Sequence, residues 1–351
     1  MASRLLNGVL GALSQDMAID LGCANTLIYV RKRGVVLREP SVVALYKNLE
    51  GDDRVLAAGN EARAMWGRTP SDIEVVRPLR DGVIADFDVT EAMLRIFMSS
   101  AMGPSHVVRP RVVVCIPYGT TEVEMRAVRE CCEAAGAREV HLMEEPLAAA
   151  VGAGLDVTEA SGNMVVDVGG GTTEVAVVSL GGVVTCRTLK VGGDQMDNAI
   201  RAWLKDARGL LVGPVTAEEV KLKLGSAGRT GRSEKLSMSV RGRDLVTGYP
   251  RALKVSAAEV RQALAATVKV IVDTVLSTLD KTPPELASDI VDKGIVMTGG
   301  SAQLPGLDRA MREATGLPVI VADDPAASVA IGAGRALTNL DFLAQVAVQA
   351  R

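Results

Sequence analysis

The stretch 164–178, Met-Val-Val-Asp-Val-Gly-Gly-Gly-Thr-Thr-Glu-Val-Ala-Val-Val, narrows the folds open to this chain more than any other. Two valine-rich runs of strand length flank three glycines and two threonines, so the chain must reverse tightly between paired, buried strands. Three successive glycines strip the turn of side chains. Backbone N–H groups can then approach an anion closely, and the pattern predicts positive φ values that aim several donors at one point. A phosphate needs such a turn. Asp167 at the strand end cannot itself favour a phosphate, but it can hold the divalent cation that accompanies a nucleotide, usually through water. Thr172 and Thr173 add hydroxyl donors. Taken alone, a plain Gly-rich hairpin has the same sequence.

A second copy favours the nucleotide. Residues 17–30, Met-Ala-Ile-Asp-Leu-Gly-Cys-Ala-Asn-Thr-Leu-Ile-Tyr-Val, repeat the order strand, Asp, Gly, polar turn, strand. Asp20 and Asp167 lie 147 positions apart, with Gly22 and Gly169 each two residues further on. The chain therefore reads as two related halves, each offering one phosphate hairpin, with a nucleotide clamped between them.

A length of 351 residues gives room for two domains that each bury a core. The net charge of −3 argues against a nucleic-acid partner. The one basic concentration, residues 229–254, reads as a solvated face. Five cysteines, an odd number, with two histidines give no zinc spacing and fit a reducing, cytoplasmic compartment. No apolar run approaches the roughly 18 residues of a membrane-spanning helix.

Near the start, Leu5, Leu6, Val9, Leu10 and Leu13 fall on one helical face. Such a short amphipathic helix would lie in a bilayer interface or dock on the protein's own surface. A helical pattern runs from Asp86 to about Ala101 and breaks at Gly103-Pro104, after which Val107 and Val108 could add a second membrane contact. Thr121 with Glu124, and Ser256 with Glu259, form capping boxes ahead of two further helices. Glu144-Glu145-Pro146 followed by Leu and three alanines places Glu145 at a helix start, where an anion is tolerated and points outward. Glu218 and Lys221 are adjacent at i, i+3, which by default is a surface ion pair. Gly299, Gly300 and Ser301 follow a strand, the place where ligands sit in α/β folds. Residues 324–334 form a small-residue helix suited to tight contact. There is no G-x-x-x-x-G-K-S/T loop and no G-x-G-x-x-G after a strand, so a nucleotide site here is of another design.

Five of these stretches, in this order, resemble the actin, sugar-kinase and heat-shock-chaperone ATPase superfamily. They are residues 20–26, 145–152, 167–173, 299–301 and 325–334. Within it the chain is most similar to bacterial actins of the MreB and Mbl type. The motifs are Asp20-Leu-Gly-x-Ala-Asn-Thr, Gly67-Arg-Thr-Pro, Arg80-Asp-Gly-Val-Ile-Ala-Asp, Asp167-Val-Gly-Gly-Gly-Thr-Thr-Glu-Val-Ala-Val and Lys281-Thr-Pro-Pro-Glu-Leu.

The resemblance implies an α/β, actin-like ATPase fold of two duplicated lobes, each a mixed sheet flanked by helices with a smaller inserted subdomain. Lobe I would be residues 16–154 plus 335–351 with 31–80 inserted, and lobe II residues 155–334 with 191–254 inserted, after a membrane-binding segment at 1–15. It implies ATP and Mg2+ as ligands, with Asp20 and Asp167 serving the metal. Gly22, Cys23, Ala24, Asn25 and Thr26, with Gly169, Gly170, Gly171 and Thr172, would hold phosphates. Glu145 and Thr172 would position the attacking water. Glu218 and Lys221 would lie near ribose and base, and Gly299, Gly300 and Ser301 would form the adenosine loop. It also implies filaments of the protein with itself on the inner face of the cytoplasmic membrane, alongside membrane-embedded cell-shape and cell-wall synthesis proteins. Cys23 stands where the family usually has Thr, which removes one phosphate-facing hydroxyl and would either slow turnover or make the site thiol-sensitive. A chaperone-type ATPase lacks its substrate-binding domain here, and a small-molecule kinase on the same fold would need an Asp as base where Glu145 stands.

Overall fold

The structure, a computed structural model, describes residues 15–48, 53–103, 108–229 and 235–348. Leu5, Leu6, Val9, Leu10, Leu13 and Val107 lie outside the described residues, and Val108 is half-buried.

The duplication seen in the sequence is a duplication of topology. In the first half, Met17–Leu21, Asn25–Val30 and Gly34–Pro40 form an antiparallel meander. Arg111–Ile116 and Glu139–Glu144 then add in parallel beside Met17–Leu21. In the second half, Asn163–Val168, Thr173–Ser179 and Gly182–Leu189 form the meander, and Ile295–Thr298 and Val319–Val321 add in parallel. In both, the strand that carries the acid, Asp20 or Asp167, is central in its sheet and largely buried, which matches its near-continuous Val, Ile and Met composition.

Each sheet carries an insertion with its own small sheet. Arg54–Ala58, Val43–Tyr46 and Ile73–Val76 make one, while Leu210–Leu211, Ser237–Asp244 and Pro250–Ser256 make the other. The strand Gly34–Pro40 pairs with the main sheet, so the insertion leaves lobe I after Pro40 rather than at residue 31.

Both expected capping boxes are present, at Thr121 ahead of Glu122–Ala134 and at Ser256 ahead of Ala257–Leu279. The second helix is long and apolar enough to cross a bilayer by length and composition alone. It is instead a core helix, with Val260, Leu264, Val268, Ile271 and Val275 packed into lobe II.

Two connecting helices, Glu145–Gly152 and Ser328–Thr338, cross between the lobes backbone against backbone. A Cβ on Gly152 would stand 1.7 Å from the Ser328 carbonyl oxygen, and one on Gly332 1.8 Å from that of Ala148. Small residues are therefore obligatory at this crossing, as the composition of the two stretches predicts. Their alanines join Ala18, Val113, Val165 and Ala176 from both main sheets in one shared core.

Candidate active site

The two acid-tipped hairpins meet apex to apex. In the first, Asp20 pairs with Leu27 and Leu21 with Thr26, which leaves residues 22–25 as the turn. In the second, Asp167 pairs with Glu174 and Val168 with Thr173, which leaves 169–172. A Cβ on Gly170 would lie 2.4 Å from that of Ala24, and one on Gly171 3.1 Å from the Cys23 sulfur. The glycines thus serve close approach. The positive φ expected of them is absent from Gly22, Gly169, Gly170 and Gly171 and occurs instead at Gly299, φ +84°.

A cavity of about 470 Å³ opens where the hairpins meet, and residues of both lobes line it. Asp20, Asp167 and Glu145 are among the acids that line it. Burial, and then the Asp167 charge, pushes the Asp20 carboxyl up to about 8. Burial raises Asp167 to about 6, although the Thr298 hydroxyl donates to its Oδ1 at 2.7 Å. Two desolvated carboxyls that disfavour each other's charge are a fitting donor set for a hard divalent ion. Magnesium takes one or two carboxylates and completes its shell with water and phosphate oxygens. Among the described residues no group of three or more His, Cys, Asp or Glu makes a cage of its own.

Glu145 does not point outward as expected. It is 9% exposed, begins its helix with Pro146 behind it, and lines the cavity. Burial raises its carboxyl well above the ordinary range, and the charges of Glu174, Asp20 and Asp167 add to this. Behind it lies Glu174, fully buried, which accepts from the Tyr118 N–H at 2.9 Å and the Thr188 hydroxyl at 2.8 Å. Its Oε2 has no hydrogen-bond partner, and burial pushes this carboxyl up to about 7.

Of the expected phosphate residues, Gly22, Cys23, Ala24, Asn25, Gly169, Gly170, Gly171 and Thr172 line the cavity. Thr26 does not; it is fully buried, 2.9 Å from the Ser41 hydroxyl, which in turn donates to the Gly22 carbonyl at 2.6 Å. Thr26 braces the turn from behind. Cys23 is not the thiol-sensitive site expected. Its sulfur accepts from the Gly82 N–H at 3.0 Å, and burial raises its pKa to about 11, far from the thiolate that reactivity requires.

Glu218, Lys221, Gly299, Gly300 and Ser301 line the same cavity. Ser301 donates to the Gly169 carbonyl at 2.8 Å, tying this loop to the second hairpin. Glu218 and Lys221 do not pair with each other. Lys221 donates to the Gly193 carbonyl at 2.9 Å and to Asp197 at 3.0 Å, while Glu218 accepts from Arg63 of the opposite lobe at 2.5 Å.

The sequence reading missed the bonds that cross the cleft. Arg63 meets Glu218, Arg77 meets Asp194 at 2.7 Å while lying 5.0 Å over the Trp66 ring, and Arg38 meets Asp324. No local pattern announces partners 117 to 286 positions apart. One signal was legible: Asp81-Gly82 is a dipeptide favoured in two-residue hairpin turns, and its φ values are 53° and 84° between Leu79–Arg80 and Val83–Ile84. That turn supplies the N–H held by Cys23.

The family described as MreB/Mbl protein matches residues 14–345. The cell shape-determining protein MreB of Escherichia coli strain K12 is 51% identical over 338 residues, 95% of this chain and 96% of that protein. The cell shape-determining protein Mbl of Bacillus subtilis strain 168 is 48% identical over 330 residues, 94% of this chain and 98% of that protein. Among solved structures, MreB 5 of Spiroplasma citri bound to AMPPNP is similar with a TM-score of 0.86 at 36% identity, over 93% of this chain and 96% of that one. A double helical filament of MamK, 22% identical with a TM-score of 0.76 over 92% and 99% of the two chains, shares the fold.

Proposed function

The chain belongs to the MreB/Mbl family and has the actin-like fold, and from that premise we propose that it is an ATPase whose filaments determine cell shape. Its similarity to curated cell shape-determining proteins supports the role, and the nucleotide-bound MreB 5 structure supports ATP as the ligand. The observation that carries the reading is the apex-to-apex meeting of two acid-tipped glycine turns around one cavity.

In this reading the polyphosphate lies between the turns 22–25 and 169–172, while the nucleoside extends toward Glu218, Lys221 and residues 299–301. Asp20 and Asp167 would hold magnesium, which would supply positive charge to offset that of the phosphates. Glu145 lines the same cleft as both hairpin acids. It orients and polarises a water, with the Thr172 hydroxyl beside it, for in-line attack on the γ-phosphorus. The oxygen–phosphorus bond to water forms as the bond to the β-phosphate oxygen breaks, leaving ADP and phosphate. The lobes correspond to residues 16–154 with 335–351 and to 155–334. Polymerisation is with further copies of the chain, and the segment 1–15, with Val107 and Val108, anchors filaments to the inner face of the cytoplasmic membrane beside cell-wall synthesis proteins.

Electron microscopy of the purified protein with ATP and magnesium, with and without lipid vesicles, tests this. Filaments that require nucleotide and lie on vesicles are the expected result; a monomer that releases no phosphate and forms no filament would end the reading.

A further inference from the structure

The Arg63–Glu218 bond joins the two inserted subdomains across the mouth of the cleft, and it uses one oxygen of a carboxylate that lines the cavity. Arg63 Nη2 donates to Glu218 Oε2, with side chains 35% and 28% exposed. Glu218 sits on the helix Pro214–Leu224, one turn before Lys221, which is itself fixed by Asp197 and the Gly193 carbonyl. Arg63 sits on the short helix Asn60–Met65, whose one buried residue, Ala62, is itself one of the four buried residues of its small core. An element so lightly anchored takes its orientation partly from the bonds at its rim.

The geometry points to Arg63 as a positioning residue for ribose recognition: it holds Glu218 with Oε2 engaged and Oε1 directed to the ribose hydroxyls, so sugar recognition and cleft closure share one carboxylate. This rests on the nucleotide reading above and goes beyond it. A carboxylate accepts at both oxygens, so the two bonds are compatible. A carboxylate already fixed by a charged partner loses less side-chain freedom when a hydroxyl donates to it. Occupancy by a nucleoside therefore favours the closed lobes, and closure in turn tightens the hold on the sugar, as linkage requires.

The test is a double-perturbation cycle on the full chain, read as competition against a fluorescent ATP analogue with magnesium below polymerising concentration. Wild type, Arg63→Ala and Arg63→Lys are each compared for ATP and 2′,3′-dideoxy-ATP. Loss of the ribose hydroxyls is expected to weaken binding to wild type by about tenfold. In Arg63→Ala the same loss should cost about threefold or less, and Arg63→Lys should restore most of the difference. A sugar penalty that is unchanged or larger in Arg63→Ala overturns the inference, since a merely structural arginine weakens both nucleotides equally. Arg63→Gln gives the same comparison if the alanine variant does not fold. No sugar penalty in wild type would instead remove Glu218 from the ribose, and a wild type that binds no ATP would remove the nucleotide site itself.

Discussion

Substituting Gly170 by alanine puts a methyl group between the apexes of the two hairpins. The new Cβ would stand 2.4 Å from Ala24 Cβ, whereas carbon atoms in contact settle at about 3.5–4.0 Å, so the apexes must part by roughly 1 Å or more. Overpacking of this kind costs about 2 kcal/mol. Each lobe keeps its own core, so the clash is relieved by opening the cleft rather than by unfolding. The cost therefore falls on nucleotide binding, at about 30-fold in the dissociation constant for ATP with magnesium, with the thermal midpoint of the nucleotide-free protein nearly unchanged. Removing the opposing methyl as well, in Gly170→Ala with Ala24→Gly, leaves Ala24 N at 3.4 Å and Cα at 3.5 Å as the nearest atoms, and binding should return to within a few fold of wild type. Equilibrium titration with a fluorescent ATP analogue reads all three proteins. Normal binding by Gly170→Ala, or no recovery in the double variant, would refute the claim that these turns close on the ligand together.

Glu145→Ala should leave ATP affinity within a few fold and slow single-turnover phosphate release about tenfold or more, and unchanged release would remove Glu145 from the chemistry. The stability of the nucleotide-free protein should fall as pH rises through roughly 4.5 to 7. Burial holds Glu174 near 7 in the fold against an ordinary 4.5, so the folded state keeps a proton that the unfolded chain gives up in that window. Thermal melts of Glu174→Gln should show a flatter slope there; an identical slope would assign the pH dependence elsewhere. Deleting residues 2–13 should weaken co-sedimentation with anionic vesicles, and equal recovery of the truncated protein would retire the anchor.

What the sequence made legible was local or periodic. The hairpin pair, both capping boxes and the small-residue helices each follow from a pattern within about fifteen residues, and the duplication gave two lobes before any strand pairing was known. The direction of Glu145 is not legible locally, because an acid at a helix N-terminus satisfies the same rule whether that terminus faces water or a cleft. Glycine's two uses, left-handed backbone and close approach, share one sequence signature, and only the position of Ala24 on the other hairpin separates them at Gly170. The motif places Thr26 with the phosphates, whereas strand alternation turns it inward to Ser41. The bonds of Arg38, Arg63 and Arg77 depend on how the two halves face each other, which no window along the chain contains.

The central claim is that ATP is gripped where the two turns meet. A crystal structure of the protein with AMPPNP and magnesium tests it directly. The account predicts the triphosphate between residues 22–25 and 169–172 with the metal on the Asp20 and Asp167 side. Triphosphate density anywhere else, or a metal remote from both carboxylates, would contradict it.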